Sequence, residues 1–353
     1  MQVIEGSSVN AIYLEAVRGL SGQPYTQPSR NGLTAEWHPA VLRLTDLRYR
    51  SLCLPGRRKN LLLQLTEFLW IWHGANDLAT VEAACAQWRE YSDDGKTLYG
   101  AYGRRLRCAG IDGLDQIRRA GERLAANPGD RQCVMTIWEP KDLWAKSKDL
   151  PCNDLLHFLI RDGKLDLTVF IRSNDLHWGA PYNIFNWTQL QCVMAARIGV
   201  PPGTYTHFAN SLHLYESKQS EYVRMLKACE QPAPDLPLSV EGATDAQFQW
   251  LGEQLQAMLV HGLPIETEHR VFHGLPAFWK DYLLALAAGF YMKHTGDAEL
   301  TLACLELMTT PLRVEASEAF ARAARKLELP LPTTFVAWAE LLPTAEHAYV
   351  LPA

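Results

Sequence analysis

DGKLDLTVFIRSNDLHWGAPYNI, residues 162–184, decides the fold. Within it, residues 164–171 are rich in β-branched, aromatic and leucine side chains and read as a strand. Residues 155–160 (LLHFLI) form a second strand just upstream. The two are separated by Arg161-Asp162-Gly163, and Asp-Gly is a strong hairpin signal because both residues tolerate the left-handed backbone such a turn needs. After the hairpin comes a dense polar run, IRSNDLHWGAPYN, and then an apolar stretch over 184–198, long enough for a buried helix. Hairpin, polar loop and greasy helix in this order point to an α+β chain.

Working outward, residues 59–72 (KNLLLQLTEFLWIW) are apolar on nearly every side, the pattern of a helix with no solvent face. His73-Gly74 ends it. Residues 79–90 and 113–125 read as further helices, 132–138 and 204–214 as strands, and the Gly-, Pro- and Arg-rich 20–60 as strands and loops. QPAPDLP at 231–237 has three prolines in seven residues and reads as a linker. Beyond it, 246–260, 277–292, 298–308 and 315–326 carry apolar residues at three-to-four spacing. The expected organisation is an α+β domain over 1–235 followed by a helical region over 236–353. An exposed apolar stripe on 277–292 would make that region an interaction module; full burial would make it a structural cap.

The 353 residues are 48% hydrophobic and 21% charged with a formal net charge of -5, close to an ordinary globular protein. No basic excess argues for a nucleic-acid or membrane partner. The most apolar stretches are too short or too interrupted to span a bilayer. Residues 1–19 contain Glu5 and Glu15 and no long apolar run, so no secretory leader is expected. The eight cysteines form no CxxC pair and suit neither a metal site nor a disulfide scaffold, which fits a reduced, cytoplasmic protein without a metal.

Two segments carry chemistry. In the polar run, Arg172-Ser173 pairs a guanidinium fork with a hydroxyl, suited to a phosphate. Asp175 and Asn183 have the hydrogen-bonding groups to read a heterocycle, and Gly179 and Pro181 suit backbone passing close to a flat ligand. A polar loop capping a helix would look the same. Upstream, Leu150-Pro151-Cys152-Asn153 holds a cysteine at a strand entrance, where a nearby arginine would favour its thiolate. A small core cysteine is the alternative.

Together these blocks resemble thymidylate synthase and its relatives, the pyrimidine nucleotide hydroxymethylases. The matching stretches are DLPCN at 149–153, the 162–184 run, and HLY at 213–215, with further agreement at Arg30 in SRNG, Glu67-Phe68-Leu69-Trp70, Trp88, and Tyr102 in YGAYGRRLR. The resemblance covers about residues 25–235. It implies a large mixed sheet backed by helices and an obligate homodimer. It also implies a pyrimidine nucleoside monophosphate as substrate, with 5,10-methylenetetrahydrofolate as the one-carbon donor.

The roles it implies follow a known chemical need. A thiolate, Cys152, adds at C6 of the pyrimidine so that C5 becomes nucleophilic. Glu67, expected at the end of the greasy helix, handles the protons, with a raised pKa suited to that work, and Tyr102 supports Cys152 and this proton traffic. Arg30, Arg172 and Ser173 hold the phosphate. Arg131 reaches it from the partner subunit, where the family's second adjacent arginine is replaced by Gln132. Asn183 selects the base; an amide matches uracil, and cytosine-specific relatives tend to carry an aspartate there. His213 and Tyr215 take the sugar hydroxyl. Asp175, Gly179 and Trp88 serve the folate. A non-catalytic relative would have lost Cys152 or Glu67, and both are present.

The departures bear on the product. Pro-Cys-His of the family reads Pro-Cys-Asn153, the glutamine before Arg-Ser is Ile171, and the leucine before the loop glycine is Trp178. More than a hundred residues follow Tyr215, ending AYVLPA, where the family has a short closing tail. If hydride quenches the exocyclic methylene the product is dTMP; if water adds, it is a 5-hydroxymethyl nucleotide. Because these changes fall where water is shut out or admitted, a dUMP 5-hydroxymethylase is expected, with thymidylate synthase or a dCMP or CMP hydroxymethylase as alternatives.

Overall fold

The computed structural model describes residues 1–230 and 235–326. The first four residues of the expected linker and the AYVLPA terminus lie outside these. Ten strands make two sheets. The larger has the order β1-β4-β9-β7-β6-β5 and the smaller β2-β3-β10-β8. In chain order the strands are β1 (Gln2–Gly6), β2 (Gln27–Ser29), β3 (Gly32–Trp37), β4 (Ala40–Leu44), β5 (Val134–Thr136), β6 (Asn153–Arg161), β7 (Lys164–Ile171), β8 (Asn174–Asp175), β9 (Pro202–Ala209) and β10 (Leu212–Tyr215). The arrangement is α+β, as expected.

The β6–β7 hairpin forms where the sequence places it, closed by Asp162 and Gly163 at φ 50° and 71°. Its register runs from Arg161↔Lys164 back to Asn153↔Ile171, so the residues just before β6 and just after β7 meet at the open end. The expected strand over 204–214 is two strands. The chain breaks at Asn210-Ser211, where the Asn210 amide bonds Ile171 and the Ser211 carbonyl accepts from Asn174, and β10 continues in the smaller sheet. A segment shared between sheets has one apolar pattern, so sequence alone does not show the step.

The helices of residues 1–230 are α1 (Val9–Ser21), α2 (Leu61–Trp72), α3 (Leu78–Ala84), α4 (Tyr102–Arg107), α5 (Gln116–Ala126), α6 (Gly179–Ile198) and α7 (Gln219–Ala228). The expected helix over 79–90 is interrupted at Cys85, whose extended backbone separates α3 from a 3-10 turn at Ala86–Glu90. The strand expected over 132–138 shortens to β5. Every residue of α2 is buried. Its partner α6 is buried from Ala180 to Ala195 apart from Tyr182, and lies across the inner face of the larger sheet.

The later helices are α8 (Asp245–Leu259), α9 (Arg270–Gly274), α10 (Ala277–Phe290), α11 (Ala298–Leu307) and α12 (Leu312–Lys326). They cover the side of α2 that α6 leaves open. Phe68 of α2 packs on Trp279 and Tyr282 of α10 with ring centroids 6.0 and 6.4 Å apart, and the Tyr282 hydroxyl donates to the Leu65 carbonyl at 2.6 Å. Lys59, just before α2, forms a buried ion pair with Glu315 of α12 at 2.7 Å. Nearly all of α10 is buried, which argues for a structural cap. No helix among the described residues is long and apolar enough to cross a membrane.

Candidate active site

At the open end of the hairpin, the Arg172 amide donates to the Cys152 carbonyl at 2.9 Å. The Arg172 guanidinium braces the cysteine loop, with Nε on the Pro151 carbonyl at 2.9 Å and Nη2 on that of Leu150 at 3.2 Å. Nη2 also lies 3.8 Å from the Cys152 sulfur. The arginine expected beside the thiol is therefore present. Its effect is outweighed: burial raises the thiol above its usual range, and Arg172 pulls only partly back.

Glu67 was expected at a helix end. It instead sits inside α2, only 7% exposed, facing α6. Burial raises its carboxyl to about 7, opposed by a 2.9 Å hydrogen bond from Asn186 Nδ2 to Oε2. A carboxyl balanced near neutrality can both give and take a proton. Tyr102 opens α4 with its ring 5.6 Å from that of Trp187. Burial, then the neighbouring Cys152, pushes its phenol well above the usual range, and Glu67 adds in the same direction. So Tyr102 is a protonated hydroxyl within electrostatic reach of both thiol and carboxyl.

The smaller sheet gathers a second set. Pairing of β8 with β10 sets His213 beside Asp175, and β10 against β3 sets Tyr215 beside Thr34. His213 and Tyr215 are nearly buried, with ring centroids 5.3 Å apart. Arg30 sits at the exposed tip of the β2–β3 hairpin, donating to the Lys148 carbonyl at 3.2 Å and lying 5.5 Å over the Tyr91 ring. Tyr91 in turn packs on Trp88 at 6.2 Å.

Asp175 accepts from the amides of His177, Trp178 and Gly179 at 2.6–3.0 Å, and so starts α6 five residues before its apolar run begins. Gly179 is required by this cap: a Cβ there would stand 2.6 Å from Asn174 Nδ2 and 2.9 Å from Asp175 Oδ2. Asn183, on the buried face of α6, makes no side-chain hydrogen bond among the described residues, which leaves its amide for a ligand. Ser173 is half-buried between Arg172 and β8.

One expected residue is not brought in. Arg131 is exposed, and its carbonyl meets His157 at 3.1 Å. The β5–β6 register pairs Thr136 with Leu155 and Val134 with His157, so Arg131 lies toward the end of β6 away from Cys152. Within one chain it is not part of the cluster. Conversely, Asn186, Trp187 and Tyr91 belong to the site's surroundings and carried no motif.

A thymidylate synthase family model matches residues 11–258, from α1 into α8. The chain belongs to the thymidylate synthase family. Among relatives, it is 33% identical over 226 residues to the deoxyuridylate hydroxymethyltransferase of Bacillus phage SP01, spanning 61% of this chain and 59% of that one. It is 37% identical over 221 residues to the deoxyuridylate hydroxymethyltransferase of Pseudomonas phage M6, spanning 61% and 62%. The chain thus matches about three fifths of the length of these relatives. Pro151-Cys152 and Arg172-Ser173 are the two ends of the hairpin described above. Among the described residues no group of three or more His, Cys, Asp or Glu side chains is set to hold a metal.

Proposed function

We propose that this protein transfers a one-carbon unit from 5,10-methylenetetrahydrofolate to C5 of dUMP and releases it as a 5-hydroxymethyl group. The observation that carries the reading is the convergence of Cys152 with Arg172 at one hairpin end, within electrostatic reach of a phenol that also senses a buried carboxyl held near pH 7. The activity named for both phage relatives supports the choice of base and product.

In this reading Arg30, Arg172 and Ser173 bind the phosphate, and Arg131 completes the clamp from a second copy. His213 and Tyr215 take the sugar 3′-hydroxyl, and the uncommitted Asn183 amide pairs with uracil. Cys152 sulfur bonds C6, and electron density moves to C5, which takes the one-carbon unit. Glu67 moves the protons, including the one that leaves C5 as tetrahydrofolate departs and the exocyclic methylene forms, with Tyr102 as fixed donor. Water then adds to the exocyclic methylene, and expulsion of the thiolate restores the C5–C6 double bond. The folate supplies only the carbon at the formaldehyde level. Trp88, Asp175 and Gly179 line its place, Asp175 through the lone pairs its cap leaves free. Trp178 is 40% exposed, with its ring 5.5 Å from Tyr215, and leaves that mouth open to solvent.

A homodimer is part of the reading. On the larger sheet's other face, Leu155, Leu159, Phe170 and Phe208 are only half-buried in one chain, and the last two pack at 5.3 Å. A second copy there would cover them. The helices from residue 236 on are assigned to support rather than catalysis, since they back α2 without contributing a proposed site residue. Eight unpaired thiols support a reducing, cytoplasmic setting.

A product assay tests this. The protein is incubated with methylenetetrahydrofolate and, separately, dUMP, dCMP, UMP or CMP. Nucleotides are read by mass spectrometry and dihydrofolate by absorbance, with Cys152→Ala as control. A hydroxymethyl gain on dUMP without dihydrofolate is expected. A methyl gain with dihydrofolate would make it a thymidylate synthase, and no product on any base would sink the enzymatic reading.

A further inference from the structure

Beside the nucleophile, Asn153 is fully buried, and its Oδ1 accepts from the indole Nε1 of Trp187 at 2.9 Å. An indole N–H can only donate, so this bond fixes which way the amide faces. Its Nδ2 is buried without a well-formed hydrogen bond among the described residues, and the amide acts as a donor toward the Tyr102 phenol, whose pKa it lowers. A buried donor without a well-formed partner is costly, so a site that keeps one has an acceptor to offer it at some stage of its cycle. Tyr102 is close enough for the Asn153 amide to act on its phenol, and the Tyr102 ring leans on Trp187. Asn153, Trp187 and Tyr102 therefore form one unit against Cys152. A side-chain amide also neither gains nor loses a proton across the working pH range, unlike an imidazole.

We propose that Trp187 locks Asn153 as a permanent donor, and that Asn153 Nδ2 together with the Tyr102 hydroxyl holds the water that adds to the exocyclic methylene. This rests on the hydroxymethylase reading and names the residues that make its product. The water oxygen bonds the methylene carbon. The methylene π electrons pass into the ring as the C4 enolate, and the water's proton leaves to the Glu67 carboxylate. The enolate then collapses and expels the Cys152 thiolate from C6. No oxidant or reductant enters. Asn153 touches the reacting water, and Trp187 is a positioning residue acting through it.

The test separates activation from capture. With dUMP tritiated at C5, tritium release reports thiolate addition and proton removal, while mass spectrometry counts 5-hydroxymethyl product. Trp187→Phe and Asn153→Leu are expected to lower product per tritium released by about tenfold, the size of one lost hydrogen bond to a transition state. Asn153→Asp keeps the shape and the indole bond, but donates only when protonated. Its product ratio should recover as pH falls, a signature that simple loosening of the fold would not produce, and this variant carries the test if Trp187→Phe does not fold. A parent protein that makes the hydroxymethyl product, with unchanged ratios in all three variants or no pH recovery in Asn153→Asp, overturns the inference alone. A parent that makes only the methyl product overturns the hydroxymethylase reading and the inference with it.

Discussion

Glu67 illustrates how one side chain can be bad for stability and good for chemistry. Its folded-state value of about 7 lies above the 4.5 of an exposed glutamate, so the folded protein holds that proton more tightly than the unfolded chain. The stability this confers is full below about pH 4.5 and is lost as pH rises through 7, about 3 kcal/mol in all. Glu67→Gln, neutral at every pH, should therefore match the parent in urea unfolding near pH 4.5 and exceed it by up to about 3 kcal/mol at pH 8. The same variant should lose roughly 10²–10⁴-fold in turnover. Asn186→Ala removes the hydrogen bond that favours the charged carboxylate, so the limb of the pH–rate profile set by Glu67 should move to higher pH. An unmoved limb would mean another group sets it. Cys152, Arg172, Asp175 and His213 were legible in sequence because each sits in a short block with its neighbours. Asn186 and Trp187 were not. They lie inside an apolar helix, and their partners stand 119 and 34 residues away.

At the scale of elements, local chemistry made the β6–β7 hairpin and α2 readable. The start of α6 was less so, because the residue that caps it sits in a loop whose polarity suggested a ligand. Residues 1–19 carry no motif, yet they form β1 and most of α1, capped by Ser8 accepting from the Ala11 amide at 3.2 Å. Two close approaches hold the helices in register. Gly103 of α4 lies so near α2 that a Cβ would meet the Ile71 carbonyl oxygen at 2.4 Å, and backbone cannot retreat as a flexible side chain can. Gly103→Ala should therefore destabilise by about 1–3 kcal/mol, as overpacking does, and lower the melting temperature by several degrees. It should also displace Tyr102, its neighbour, and with it turnover. Tyr282→Phe deletes a single buried hydroxyl and its bond to the Leu65 carbonyl, which keeps its place in the α2 ladder, with an expected cost of about 1 kcal/mol in chemical denaturation.

For the molecule as a whole, Lys59 and Glu315 tie the later helices to the loop before α2 across 256 residues of sequence. Lys59→Met leaves a carboxylate buried without its cation and should cost about 3–5 kcal/mol. Adding Glu315→Leu should return much of that, because the pair as a unit is worth far less than either half alone. Additive losses in the double variant would show that the two do not act as a pair. Sedimentation should find a dimer, and Phe170→Asp should yield monomers with little activity if Arg131 arrives from the second copy. The helical periodicity beyond residue 236 was plain in sequence, but what it covers was not, since an all-apolar α2 says that it is buried and not by what. That burial has a consequence for the order in which the protein comes into being. Synthesis delivers α2 roughly two hundred residues ahead of α10. Until Phe278–Phe290 leave the ribosome, the helix that bears Glu67 has a bare greasy flank, so apolar surface is exposed during synthesis and α2 is among the last helices to be fully covered.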